Sequence, residues 1–500
     1  MNIRQAAQAA ILLKPDELVD AARAVLDGGG RMQMAYAWYP RPGKLELRYL
    51  SGRGAKQPFD IWRCPVERPV PSLANLWPLL NWYEREISDL FGIEFTGAPD
   101  SHRLVLHEGT DCPVPPFAAK VPAGYALSLK TRERRLPEVG GAERDVQLLP
   151  FGPVRADVME SAEFLFFYIG EAILFYQPQL FFKHRGMEKR FEGVAAERAV
   201  VIAERVSGVG SVAHALAFCQ AVEAASHCRV PPRARFLRVL LAELERLYNH
   251  LHYLGHLSHT TSLKVGESEG KLLEERAKQF NARLTGSRFL RSLLTVGGLR
   301  RDLRSLDWLA DELEALRERY AVYARHLENT DSHLDRLITT GPLDPQVALD
   351  QGATGPVQRA SGLDRDLRRD HPYAAYDELP VAVAVRESGD GYARMQVRIA
   401  EIHHSIALIQ RVLLMLPDGP VRADCQILPR SEGLGWSETP RGTLFYAVHI
   451  GGDGRLARVK IKSPSFSNWR VFPFTVHGSN MMDYAINEAT FGLTMAGCDR

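Results

Sequence analysis

The most apolar stretch of the chain, residues 161–182 (SAEFLFFYIGEAILFYQPQLFF), decides whether the fold must be built around a membrane span. A spanning helix needs about 20 residues with few charges. Here Gly170-Glu171 cuts the run into two aromatic-rich halves, and Pro178 falls inside the second. Two such runs around a turn pair predict a β-hairpin. Membrane contact, if any, then belongs to partners. Only a short apolar run precedes Lys14-Pro15, so no signal peptide is expected and the chain reads as cytoplasmic.

Around this hairpin the hydrophobic periods change twice. Residues 16–28 read as a helix, and 31–39, 45–50 and 58–64 as strands. Residues 72–93 predict an amphipathic helix with Leu76, Leu79, Leu80, Tyr83, Ile87 and Leu90 on one side and Gly92 as its stop. These make a small α/β domain over 1–107. Pro113, Pro115, Pro116, Pro122 and Pro137, with TRERRLPEVGGAERD, predict a linker over 108–145. From 146 to 500, long helical patterns at 192–226, 232–262, 267–292, 303–338 and 391–416 predict a large, mainly helical body. Residues 445–450 and 458–463 add a hairpin around Gly451-Gly452-Asp453-Gly454. The fold class expected is therefore α+β.

Composition removes several functions. The 62 Lys+Arg against 60 Asp+Glu leave a net charge of +2, which gives no electrostatic case for nucleic acid. Cys64, Cys112, Cys219, Cys228, Cys425 and Cys498 are scattered without a C-x-x-C, which argues against a disulfide scaffold or a zinc ribbon. Each reads as a small buried hydrophobe. His252, His256 and His259 share one helix face and invite a metal reading. With no carboxylate beside them in sequence, polar packing is the expectation favoured. GDGYARM (389–395) and GGDGR (451–455) read as turns, not phosphate-binding loops, and no G-x-S-x-G is present. No self-contained catalytic set is visible, and no metal ligands are assigned.

Several strings nevertheless carry a family resemblance. NWYEREISDLFGIEFTGAPD (81–100) resembles the smaller peripheral-arm subunit of respiratory complex I. KHRGMEK (183–189), RLYNHLHYLG (246–255), GPVQRASGLDRDLRRDHPYAAYD (355–377), GDGYARMQVR (389–398), ETPRG (438–442), SPSFSNW (463–469) and Asp499-Arg500 resemble its large partner, which is related to the large subunit of nickel–iron hydrogenases. The chain thus looks like a fusion of the two, as in membrane-bound energy-converting hydrogenases. The resemblance implies packing on an iron–sulfur small subunit and, through it, on antiporter-like and other membrane subunits at the inner face of the plasma membrane. His184, Arg185 and Glu188 match the cluster-facing motif. An Arg donor there would stabilise a reduced cluster, while Glu188 and His184 are the candidate catalytic, proton-relaying groups.

The departures from the family set the expected chemistry. The four nickel–iron cysteine positions align with Ser207, Gly210, Thr494 and Gly497, and neither glycine nor a hydroxyl suits nickel. Hydrogen activation on such a centre is not expected. At the quinone-contact positions stand Arg155 and Met159 in place of histidines, Gly208 in place of a tyrosine and Thr260 in place of an aspartate. The resemblance therefore implies an altered acceptor cavity formed where 151–160, 205–212 and 491–500 converge, with quinone retained as a candidate. The chain itself is expected to bind no cofactor, and NAD(H) would bind another subunit. The alternatives are a non-catalytic scaffold that couples its partners, and an NADH:quinone oxidoreductase-type subunit with changed quinone contacts.

Overall fold

The computed structural model describes residues 10–66, 69–112, 114–117, 128–129, 146–155, 160–303 and 305–500. The architecture is α+β. Near the N-terminus, strands Arg31–Arg41, Lys44–Gly52 and Phe59–Pro65 form an antiparallel meander, and Ile11–Leu12 adds a parallel edge. Tyr49 faces Trp62 on one neighbour and Ala35 on the other, and residues 46–52 are buried without a break, so both faces of this central strand are covered. The expected hairpin is formed by Glu163–Ile169 and Ala172–Gln179, turning at Gly170-Glu171, with Gln147–Phe151 as a third strand. Among the described residues, no helix is long and apolar enough to cross a membrane.

The helix expected over 72–93 is shorter, Asn81–Phe91. Pro78 starts a separate 3-10 turn ahead of it. The buried Glu84 carboxylate reaches back to the Ser72 hydroxyl (2.5 Å) and the Leu73 N–H (2.8 Å), fixing 72–77 as a turn. Gly92 ends the helix at φ 72°, as its sequence position predicts. The pattern at 192–226 is also two helices, Ala196–Ala203 and Ser211–Ala225, separated by a loop containing Gly208 and Gly210. GDGYARM is not a turn alone: Asp390 accepts from the Ala393 N–H and caps the helix Gly391–Met415. Most of the expected linker lies outside the described residues. Where it is described, Phe117 stacks on Phe91 with ring centroids 5.3 Å apart.

Helix Pro232–Thr260 runs through the body's centre. Its apolar side is buried as its period requires, but so are Glu243, Glu245, Arg246, Asn249 and His250 on the other side. Partners distant in sequence make this possible. Arg246 and His250 meet Glu401 at 3.1 and 2.8 Å, and Glu243 meets Arg368 at 3.2 Å. The second sheet of the body, Glu432–Thr439, Gly442–Ile450 and Leu456–Lys462, packs on Ser211–Ala225. A Cβ at Gly433 or Gly435 would fall 2.1 or 2.0 Å from the carbonyl oxygens of Ala221 and Ala217. Bare glycine on the strand and alanine on the helix allow this close approach. The same sheet receives the N-terminal one: the rings of Trp38 and His449 stack at 3.9 Å, and the Tyr36 hydroxyl lies 3.0 Å from His449 Nε2.

One cysteine expectation needs correction. Cys228 and Cys425 are not isolated buried hydrophobes but a disulfide, with Cα atoms 5.4 Å apart across 197 residues of chain. Local spacing carries no information about a pair so far apart in sequence.

Candidate acceptor site and cluster-facing surface

The loop between Ala196–Ala203 and Ser211–Ala225 is met by the segment around helix Met495–Asp499. Arg185 ties them together. Its guanidinium donates to the carbonyls of Arg205 (3.2 Å), Val206 (2.5 Å) and Ala496 (3.0 Å). Its Nε is buried without a hydrogen-bond partner, and among the described residues no carboxylate lies within ion-pair distance of it. A second tie runs through Asn249 and Arg441. Asn249 donates to the Val209 carbonyl (2.9 Å), and Arg441 donates to Asn249 Oδ1 (2.9 Å) and the Gly492 carbonyl (2.7 Å). Glu160 forms the third side, accepting from the N–H groups of Met495 (2.5 Å) and Ala496 (3.0 Å) and from Lys183 (3.0 Å). The 160, 205–210 and 492–500 segments thus meet. Met159 lies outside the described residues.

Around this junction the candidate residues differ in availability. His184 keeps an edge exposed while Nδ1 donates to the Asp499 carbonyl at 2.6 Å. Partial desolvation lowers its pKa against the pull of that carbonyl. Asp499 is buried, accepts from the Lys183 N–H (2.9 Å) with one oxygen, and leaves the other without a partner. Burial pushes its carboxyl up to about 7. Glu245 is buried and accepts from the Val212 (2.7 Å) and Ala213 (2.9 Å) N–H groups, holding the first turn of Ser211–Ala225 beside Gly210.

Glu188 sits elsewhere. It is buried against the strand Leu456–Lys462, with Arg458 at 2.7 Å, Lys460 at 3.2 Å and Arg500 at 3.1 Å. Glu86, from the N-terminal helix Asn81–Phe91, shares Lys460 (2.7 Å) and Arg500 (2.8 Å). Burial opposes its charge, but the three cations win and hold Glu188 well below the ordinary glutamate range. A carboxylate held this way does not exchange protons near neutrality. Arg155 is likewise engaged: both its terminal nitrogens lie 3.3 Å from Glu488, and its guanidinium stands 4.7 Å from the Phe164 ring centroid. Thr260 donates to its own helix at the Leu257 carbonyl (2.8 Å).

The positions aligned with nickel–iron ligands do not form a donor set. Gly210 and Gly497 carry no side chain. Thr494 Oγ1 caps its helix by accepting from the Gly497 N–H (3.2 Å) and lies 3.2 Å from Ser465 Oγ. A Cβ at position 497 would stand 2.6 Å from that hydroxyl, leaving no room for a cysteine there without a shift. Ser207 is buried, and Gly208 accepts at its carbonyl from Arg291 (3.5 Å). These residues do not fit a nickel–iron centre. The histidine stripe gains partners that sequence spacing hid: Glu274 lies 3.1 Å from His252 and Glu267 lies 3.0 Å from His259, both from the next helix. Among the described residues, no three His, Cys, Asp or Glu side chains form a metal-holding group. Arg441, Asn249, Glu160 and Asp499 were missed as site residues, although Arg441, Asn249 and Asp499 lie inside the strings that carry the resemblance.

The model for the respiratory-chain NADH dehydrogenase 30 Kd subunit matches residues 11–124, that for the 49 Kd subunit matches 272–431 and 425–500, and that for nickel-dependent hydrogenase matches 185–265. The chain belongs to the family that contains formate hydrogenlyase subunit 5 of Escherichia coli, with which it is 31% identical over 428 residues, or 83% of this chain and 74% of that protein. The fused C/D polypeptide of the NADH-quinone oxidoreductase of Gluconacetobacter diazotrophicus is 29% identical, covering 87% of this chain and 80% of that protein. A protein from the structure of the membrane-bound sulfane sulfur reductase, an archaeal respiratory membrane complex, superposes with a TM-score of 0.68 at 25% identity, covering 72% of this chain and all of the other.

Proposed function

We propose that this chain is the acceptor-site subunit of a membrane-associated, complex I-like or hydrogenase-like oxidoreductase. It packs on an iron–sulfur small subunit through the His184–Arg185 surface and transmits the redox state to antiporter-like membrane subunits. It works without a nickel–iron centre and binds no cofactor of its own. The observation that carries this reading is Arg185: a guanidinium held by three carbonyls, with no carboxylate paired to it among the described residues, where three remote segments meet. Such a cation favours an extra electron on a neighbouring cluster. His184 and Asp499, joined through the 499 backbone, supply the titratable groups, and Glu188 serves as a structural tie to Arg458, Lys460 and Arg500.

The acceptor is a small oxidant other than the proton. Quinone and sulfane sulfur, the substrates in the relatives' names, are the first to assay. With Arg155 bound to Glu488, any quinone would have to be held by other groups. The purified complex should reoxidise its reduced cluster with one of these acceptors, and Arg185→Met should slow that step at least tenfold. Full retention of the rate in Arg185→Met favours the scaffold reading, in which the fold only docks and couples its neighbours.

A further inference from the structure

Away from the acceptor junction, a cavity of about 290 Å³ opens where the N-terminal sheet meets the body. Arg31 reaches it from the sheet, Lys462 and Arg470 from the body, and Arg365 lines its rim. Arg31, Lys462 and Arg470 are 9%, 5% and 5% exposed, so their charges are largely out of water. Their partners are all neutral. Arg31 donates to the Ala353 (3.2 Å) and Leu349 (3.4 Å) carbonyls and to Gln358 (3.5 Å). Lys462 donates to Gln33 (3.2 Å) and Thr443 (3.1 Å). Arg470 donates to the Gln351 carbonyl through Nε (2.8 Å) and Nη2 (2.5 Å), and its Nη1 is buried with no partner at all.

Three aspartates line the same cavity, but each is already paired. Asp366 is held by Arg368 (2.7 Å) and Arg359 (3.4 Å), and Asp364 and Asp370 by Arg369 (2.7 and 2.8 Å). Among the described residues, no carboxylate comes within ion-pair distance of Arg31, Lys462 or Arg470. Burial lowers the pKa of all three, and neighbouring cations push Arg31 and Lys462 the same way. Arginine does not shed its proton, so the charges of Arg31 and Arg470 stay, while the Lys462 amine, destabilised as a cation by burial and by both arginines, is charged most readily beside an anion. Buried, uncompensated charge is costly unless something pairs with it. Gly352 keeps the approach open, since a Cβ there would stand 3.0 Å from Arg470 Nη2.

We propose that this cavity binds a phosphoryl dianion, which bridges Arg31 of the N-terminal sheet to Lys462 and Arg470 of the body. Converging guanidinium forks match tetrahedral oxyanions, and the cavity has room beyond a bare phosphate for a small ester group. Bound there, the anion would fasten the two parts of the fused chain together.

The test is calorimetric titration and thermal melting of the full chain at constant ionic strength, with inorganic phosphate, glycerol phosphate and malate. Wild type should show saturable heats and a melting temperature rising with phosphate concentration. Lys462→Met and Arg470→Gln should each weaken binding at least tenfold. Lys462→Met, freed of the cost of burying an amine among cations, should melt no lower than wild type without phosphate, which also shows that it folds. Glycerol phosphate binding tenfold tighter than phosphate identifies an ester as the ligand, and equal affinity identifies free phosphate. No saturable response in wild type, binding in both variants as tight as in wild type, or displacement of phosphate by equimolar malate overturns the proposal.

Discussion

Glu188→Gln is the sharpest probe of how the two parts of the chain are fastened. Glu86 and Glu188 together face Arg458, Lys460 and Arg500, so the cluster already carries one cation in excess. The substitution leaves three buried cations against the single carboxylate of Glu86. Breaking a buried pair in this way costs about 3–5 kcal/mol. At about 1.4 kcal/mol per tenfold, opening of the seam should rise roughly 100- to 5,000-fold. Hydrogen exchange of the strand Leu456–Lys462, whose Ile461 N–H donates to Glu188 at 3.2 Å, reads that opening directly. Adding Lys460→Met to the variant should recover most of the protection by removing one orphaned charge. The pH dependence follows from the lowered pKa. The stabilisation is fully present above the ordinary glutamate value and is lost as pH falls through the depressed one, so acid should open the same strand in wild type. Exchange unchanged in Glu188→Gln, together with loss of coupled turnover, would refute this reasoning and restore Glu188 as a proton carrier.

Other regions give independent tests. Arg246, Arg359 and Arg368 face four buried acids, Glu243, Asp366, Glu401 and Glu438, and burial plus Asp366 raise the Glu438 pKa. Native Glu438 therefore binds its proton more tightly than the unfolded chain does, and stability drains as pH rises from the ordinary glutamate value of 4.5 to the raised one of about 7; Glu438→Gln should flatten melting temperature across that interval. Protein isolated without reductant should titrate only the four free cysteines Cys64, Cys112, Cys219 and Cys498 after denaturation. Reduction of Cys228–Cys425 should destabilise by about 3–5 kcal/mol, read as a lowered melting temperature that Cys228→Ser reproduces. Gly435→Ala should cost about 3 kcal/mol or more through collision with the Ala217 carbonyl, and melts unchanged within a degree would contradict the close packing described.

Much of the fold was legible because it is written locally. Gly170-Glu171 marked the hairpin, Gly92 stopped its helix, and the patterns at 31–39, 45–50 and 58–64 marked the three long strands of the N-terminal sheet, though not their pairing. What failed depended on partners far along the chain. The polar side of Pro232–Thr260 reads as solvent-facing until Glu401, Arg359 and Arg368 arrive to bury it. Cys228 and Cys425 gave no sign of each other for the same reason. At the candidate site, the resemblance picked out His184 and Arg185, which do stand where the loops meet. It could not show that Glu188 faces the opposite way into a cation cluster, or that Arg155 is already claimed by Glu488. Charge balance is a property of three-dimensional neighbourhoods, and the near-neutral total of the chain hid both the cation-rich cavity and the acid-rich network.

The central claim is that Arg185 presents an unneutralised charge to a reduced cluster on the neighbouring subunit. Potentiometric titration of that cluster in the intact complex, followed by electron paramagnetic resonance, measures it most directly. Arg185→Met should lower the midpoint potential by roughly 40–130 mV, the one-electron equivalent of about 1–3 kcal/mol, while Arg185→Lys should lower it less. A midpoint unchanged in Arg185→Met, in a complex that retains all its subunits, would contradict it.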